Sequence, residues 1–262
     1  MKNVRVFPVH HSTSSGQTMK EESIAEETLI RIVVDDVGLV NLLGSPEHSR
    51  ELAFGHLMTE HGLNPEHVQS VDVNINERTV DVCVVTNGDS VFKSRTGVVT
   101  SSCGACDQSG LSELTKNTQA VSNPASLVHL DDILERLHAM RDHQTGFRLT
   151  GGMHAAGLYS LDGQTHLIME DIGRHNAVDK AYGAWHHHTS EKPSILLLSG
   201  RCGWDIVAKA ATMDTPIIAC FGAASSLAVE TARASNMTLI TFVKGDKAVI
   251  IGPVEGRFHR KH

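Results

Sequence analysis

Cys103 and Cys106 sit in the stretch "TSSCGACDQSG" (100–110), among small polar residues with no aromatic, proline or long apolar run nearby. Three chemistries suit such a pair. A metal centre needs four ligands, or three and an open position. This pair supplies two, Cys83 lies inside a strand pattern, and Cys202 and Cys220 are isolated, so histidines would have to complete the shell. A dithiol–disulfide couple is expected where a strand runs into a helix whose N-terminus lowers one thiol pKa. Here a β-rich run, "TGVVTSS", leads in, but the residues after Cys106 have weak helical periodicity. A sulfur relay needs an exposed thiolate that attacks a persulfide and then offers its own outer sulfur to a second nucleophile. Gly104 gives the backbone freedom between the thiols, and the Ser101 and Ser102 hydroxyls are placed to favour a thiolate by hydrogen bonding. Unreactive structural thiols fit such a loop least well, because they are usually buried among apolar groups.

Other polar residues gather where strands end. "TGGMHAAG" pairs Gly151 and Gly152 with His154; "EDIGRHNAVDK" sets Arg174, His175, Asn176 and Asp179 in the first turns of a helix; "LSGRCGWD" carries Arg201 and Cys202. His175 and Asp179 share a helix face by their i,i+4 spacing. "FVKGDK" (242–247) ends an apolar run with two cations, a glycine and a carboxylate, and is either a phosphate- and base-binding loop or a turn with ordinary surface charges.

The elements that must position these residues fall into two patterns. Residues 1–22 are polar and expected to be disordered. Residues 23–125 read as a small α+β unit ending in the cysteine loop. It holds a hairpin broken at Asp35-Asp36, a helix bracketed by Ser45-Pro46 and Gly62, and a second hairpin around Asn76-Glu77. Residues 126–262 begin with an amphipathic helix ("DDILERLHAMRDH") and a hairpin turning at Asp162-Gly163. Strands "SILLLS", "PIIACFG" and "TLITFV" then alternate with helices of about ten residues, which predicts a mostly parallel sheet covered on both faces. Ligands of such sheets bind at the carboxyl ends of the strands. On that basis Lys244, Lys247 and Arg201 are expected on one rim, with Arg174 and His154 reaching it from the hairpin-and-helix side.

The bulk composition excludes several classes. A net charge of −7 and 4% aromatic residues argue against a nucleic-acid binder. The apolar stretches are shorter than the ~18 residues a membrane span requires. The first residues lack the apolar core of a signal peptide, and five cysteines do not suggest a secreted disulfide framework, so a cytoplasmic protein with reduced thiols is expected. "HHH" (186–188) reads as a solvated helix end. Zinc-dependent deamination needs a glutamate close to the ligand histidine and a later P-C-x-x-C; here Ala155 and Ala156 follow His154, and the cysteine pair precedes it.

Taken together and in order, "TSSCGACD", "FRLTGGMHAAGL", "EDIGRHNAVDKAYG", "LSGRCGWDIVAKA" and "ITFVKGDK" resemble the FdhD family of formate dehydrogenase accessory sulfurtransferases, over nearly all the chain from the first hairpin onward. The resemblance implies an α/β fold: a cytidine-deaminase-like three-layer domain with a mixed, mostly parallel sheet, beside the smaller N-terminal α+β unit. It implies a homodimer. It also implies an activity, receipt of sulfur as a persulfide from a cysteine desulfurase and transfer to the molybdenum cofactor, as bis(molybdopterin guanine dinucleotide), before that cofactor enters formate dehydrogenase. By motif position Cys103 carries the persulfide and Cys106 supports it. Phe242, Val243, Lys244, Gly245, Asp246 and Lys247 form the cofactor-binding segment, with His154, Arg174 and Arg201 expected nearby. GDP is the expected fragment ligand, and no intrinsic metal is expected. A chaperone that binds the cofactor without using its thiols is the alternative. The chain departs from the family pattern at Asp107, where glycine is usual, at His56 and His61, where phenylalanine and glycine are usual, and at Lys244 and Lys247, where arginine is common.

Overall fold

Residues 2–88, 98–99 and 118–259 are described by a computed structural model of the chain. Two sheets organise it. The first has five strands in the order β5-β6-β3-β4-β7: β3 (Thr28–Val34), β4 (Val37–Gly44), β5 (Val68–Ile75), β6 (Thr79–Thr86) and β7 (Val98–Val99). Both expected hairpins are present. Asp35 and Asp36 turn β3 into β4 with φ of 48° and 63°, the conformation a two-residue hairpin needs. The Asp35 carboxylate also accepts from the Thr86 amide and hydroxyl at 2.8 and 2.6 Å.

The second sheet has six strands in the order β13-β12-β11-β10-β8-β9: β8 (His154–Tyr159), β9 (His166–Asp171), β10 (Ile195–Leu198), β11 (Ile217–Cys220), β12 (Thr238–Lys244) and β13 (Lys247–Ile251). The expected parallel character holds only at its centre. β10–β11 and β11–β12 are parallel, while β8–β9, β8–β10 and β12–β13 are antiparallel. The sheet is therefore mixed rather than mostly parallel, because both of its edges are closed by hairpins.

Every residue of β10 and β11 is buried, as expected of strands covered on both faces. Leu196, Leu198 and Ile218 face α4 (Arg174–His188), α5 (Trp204–Thr212) and α6 (Ser226–Ala234) through Val178, Tyr182, Ile206 and Ala228. Ile195, Leu197 and Ile217 face α2 (Leu130–Ala139) and the turn that follows it through Ile133, Leu137 and Met140.

Helix α1 (Ser49–His61) joins the two halves. Leu52, Phe54 and Leu57 pack on the five-stranded sheet, while Gly55 and Gly183 let α1 and α4 cross closely. A Cβ at Gly55 would overlap the Asp179 carbonyl, and one at Gly183 would overlap that of Glu51. The C-cap Gly62 has φ 63°, as its stop signal implied. The start differs from the sequence reading. The helix begins at Ser49, because Ser45 fastens the preceding loop instead: its hydroxyl accepts from the Ile172 amide, and its amide donates to Asp171.

The expectation of a disordered N-terminus is corrected. β1 (Val4–Thr13) and β2 (Gly16–Ala25) form an antiparallel hairpin in register from Val4↔Ala25 to Thr13↔Gly16, packed on the short helix α3 (Thr145–Thr150). Its polar composition hid it, because the hairpin is held by its ladder and by pairs such as His11–Glu22 (2.9 Å) rather than by a buried face. Among the described residues no helix is long and apolar enough to cross a membrane.

Candidate functional site

The loops after β10, β11 and β12 are stitched edge to edge at the carboxyl end of the sheet. The Gly222 amide donates to the Gly200 carbonyl, and the Phe242 amide to the Gly222 carbonyl, each at 3.0 Å. The Cys202 amide donates to the Ala223 carbonyl at 3.1 Å. Gly222 has to be glycine, since a Cβ there would press on the backbone of Gly200 and Arg201. "FVKGDK" is not a loop leading onward. Phe242, at φ 53°, makes a bulge in β12; the strand resumes at Lys244, turns through Gly245 (φ 61°) and Asp246, and enters β13 at Lys247. Val243 is buried, Phe242 is 55% exposed, and Lys244, Gly245, Asp246 and Lys247 are exposed at the hairpin tip. His138 on α2 holds that tip through a 3.0 Å hydrogen bond between its Nε2 and the Gly245 carbonyl.

Among the described residues, two cavities open on this rim. One, of about 290 Å³, is lined by Arg174, Arg201, Cys202, Gly203, Ala223 and Ser225. The other, of about 370 Å³, is lined chiefly by Arg141, Gln144, Phe147, His154 and Phe221. His154 links them. It opens β8, packs against Gly200, and is close enough to the arginines of the first cavity to feel their charge. Burial, then Arg174 and Arg201 against an opposing Asp171, lower its pKa below the usual imidazole value. The sequence-predicted His154, Arg174, Arg201 and Phe242 are thus brought to one end of the sheet, and Lys244 and Lys247 lie just beyond on the hairpin. Cys103 and Cys106, with Ser101, Ser102, Gly104 and Asp107, lie outside the described residues.

Several polar residues of the α4 motif serve the scaffold. Asp171, at the end of β9, pairs with Lys180 at 2.7 Å and accepts from the Ser45 and Gly173 amides and the Asn176 amide group. This fixes the Ile172-Gly173 turn that presents Arg174 to the rim. His175 lies against Asp205, and one helical turn on Asp179 meets Lys209 at 2.9 and 3.0 Å. The i,i+4 face of α4 is thereby matched by an i,i+4 pair on α5. Asp179 also accepts from Thr59 at 2.8 Å and faces His56 at 3.4 Å, while Glu60 pairs with Lys209 at 2.6 Å. Burial alone would raise the Asp179 pKa, but Lys209 and His56 hold it down at about 2.

The sequence reading missed Arg141, Gln144 and Phe221. They come from the turn after α2 and the residue after β11, and their spacing carries no motif. A larger cleft of about 700 Å³, lined mainly by Leu127, Leu130, Ile250, Val254 and Phe258, lies against β13 and the C-terminal segment and lacks a comparable cluster of cations.

The model of the FdhD/NarQ family matches residues 25–255. A Sulfur carrier protein FdhD from Sulfolobus acidocaldarius is 35% identical over 248 residues, covering 93% of this chain and 94% of its own. One from Mycobacterium tuberculosis is 32% identical over 257 residues, covering 91% and 92%. The crystal structure of a proposed formate dehydrogenase accessory protein from Desulfotalea psychrophila superposes with a TM-score of 0.77 at 19% identity, covering 97% of this chain and 99% of that one. That likeness concerns the fold.

Proposed function

The chain belongs to the FdhD/NarQ family, and from that premise we propose that it is a sulfur carrier and sulfurtransferase serving formate dehydrogenase. The Cys103 thiolate attacks the outer sulfur of a persulfide on a cysteine desulfurase, whose own cysteine leaves as thiolate. A nucleophile of the acceptor then attacks the outer sulfur on Cys103, and Cys103 leaves as thiolate in turn. Each step exchanges one S–S bond for another bond to sulfur and needs no oxidant. Cys106 is the supporting thiol. The acceptor is the molybdenum cofactor in its bis(molybdopterin guanine dinucleotide) form, with GDP as its fragment. It is taken up as substrate at the rim formed by His154, Arg174, Arg201 and the Phe242–Lys247 hairpin, before delivery to the client enzyme. The protein acts in the cytoplasm as a homodimer, and its helix-covered mixed sheet is of the cytidine-deaminase-like kind.

The observation that carries this reading is identity at or above 30% with sulfur carrier proteins along almost the whole chain, with the C-x-x-C in the segment matched by the family. The rim supports it: on a chain of net charge −7, Arg174, Arg201, Lys244 and Lys247 gather at one sheet end beside glycine-bearing loops, a setting suited to an anionic, phosphate-bearing ligand. Intact-mass spectrometry after incubation with a cysteine desulfurase and cysteine should find one added sulfur, located on the peptide containing Cys103. Cys103→Ala should lose both the added sulfur and formate dehydrogenase activation. Full activation by Cys103→Ala would instead favour a cofactor-binding chaperone.

A further inference from the structure

Behind the 290 Å³ cavity, one carboxylate oxygen is addressed from two sides. The Arg174 guanidinium lies 3.9 Å from Asp205 Oδ2, and the Nε2 of His175 lies against that same oxygen. The Asp205 and His175 side chains are 12% and 6% exposed, against 36% for Arg174, so only the guanidinium reaches out to the cavity wall. Arg174 and His175 open α4, and Asp205 is the second residue of α5. Gly203, just before α5, makes room for this carboxylate, because a Cβ there would overlap Asp205 Oδ1. At 3.9 Å the Asp205–Arg174 pair is at the outer limit of an ion pair and lacks the two short bonds of a bidentate one.

The other charges packed around His175 are matched among themselves. One turn further along, Asp179 and Lys209 pair with each other, and His56 and Glu60 of α1 join that cluster. Asp171, at the end of β9, pairs with Lys180. Cys202 is buried and stays protonated. His154, at the start of β8, is a second imidazole that feels the Arg174 charge.

We propose that Asp205 is a positioning residue that keeps Arg174 partly neutralised, and that protonation of His175 takes over the Asp205 carboxylate and frees the guanidinium for an anion in the cavity. While His175 is neutral, the Asp205 charge falls on Arg174 and opposes an incoming anion. Once His175 carries a proton, that charge is met from the interior side. Anion binding and proton uptake then favour each other, by the same factor in both directions. Burial, aided by Arg174 and Lys209 and opposed by Asp205 and Asp179, keeps the His175 pKa below the ordinary imidazole value of 6.5. The guarded state therefore prevails at neutral pH. That the anion is the phosphate-bearing acceptor rests on the function proposed above; the coupling of the three residues does not.

Calorimetric titration with sulfate, which stays a dianion throughout, tests the coupling between about pH 7.5 and 5.5. Full-length His154→Gln protein is the host, so that the His154 imidazole adds no charge to the same rim. Its sulfate affinity should rise at least about fivefold over that fall in pH. Binding should also take up a fraction of a proton, read from buffers of different ionisation enthalpy. Added to the host, Asp205→Asn should tighten sulfate about fivefold at the upper pH and remove the pH dependence. His175→Gln should remove the dependence without that gain. Urea unfolding of each variant separates these effects from misfolding, and the proton uptake of the host needs neither substitution. A pH slope that Asp205→Asn leaves unchanged, binding without proton uptake, or no sulfate binding at all overturns the coupling. If GDP still binds wild-type protein in any of those cases, the acceptor reading stands. If neither GDP nor sulfate binds while Cys103 still loads sulfur, both fall.

Discussion

Cys202 and Cys220 lie at the rim yet are poorly suited to carry sulfur. Both are buried; burial raises the Cys202 thiol well above its usual pKa and lifts Cys220 to about 12. They therefore remain thiols at neutral pH, which leaves them poor nucleophiles. Iodoacetamide should accordingly label Cys103 well before Cys202 and Cys220, which should react only on denaturation; comparable labelling rates, followed by peptide mass spectrometry, would remove this argument for Cys103. The other telling residue is His154. Its folded-state pKa is lowered, so below the ordinary imidazole value of 6.5 the unfolded chain takes up a proton that the folded chain resists. Its contribution is thus present above that value and is lost as pH falls toward the folded pKa. Urea midpoints measured between about pH 7 and 5 should decline less steeply in His154→Gln than in wild type.

At the scale of elements, the junction of α1, α4 and α5 depends on a buried ion cluster. Asp179, Glu60 and Lys209 sit within 3 Å contacts of one another through the lysine, with Thr59 and His56 completing the shell. Lys209→Met would leave two carboxylates uncompensated and should cost about 3–5 kcal/mol in denaturant unfolding. Replacing Asp179 by Leu at the same time should recover part of that loss, and no recovery would mean that Lys209 acts through packing alone. The His56 ring is buried in the helix interface and faces Asp179.

Across the whole molecule, the net charge is negative while one end of the six-stranded sheet collects Arg141, Arg174, Arg201 and the Lys244–Lys247 hairpin tip. Attraction of a phosphate-bearing ligand to such a rim is screened by salt. GDP binding should weaken as ionic strength rises, and Lys244 and Lys247 changed together to Ala should cost about 1–3 kcal/mol and flatten that salt dependence. Persulfide loading on Cys103 should be unchanged in the double variant. Titrations showing an unaltered salt slope would place the phosphates away from the hairpin.

Much of the fold was legible in the chain because it follows from near neighbours. Period-two alternation with Asp35-Asp36 and Asp162-Gly163 at the turns marked the hairpins. The repeated strand–helix pattern from "SILLLS" to "TLITFV" marked the covered sheet, and the ordered motifs marked the family. Tertiary structure alone decided what depends on distant partners. Ser45 reads as a helix cap until Asp171 and Ile172 are placed beside it. Asp179 reads only as a polar residue sharing a helix face with His175 until Lys209 on α5 meets it. Arg141 reads as part of the amphipathic helix until Phe221, some eighty residues later, comes under the guanidinium. Periodicity reports which face of an element is buried; it carries no information about which charge or ring is brought opposite, because that is set by how sheets and helices close on one another.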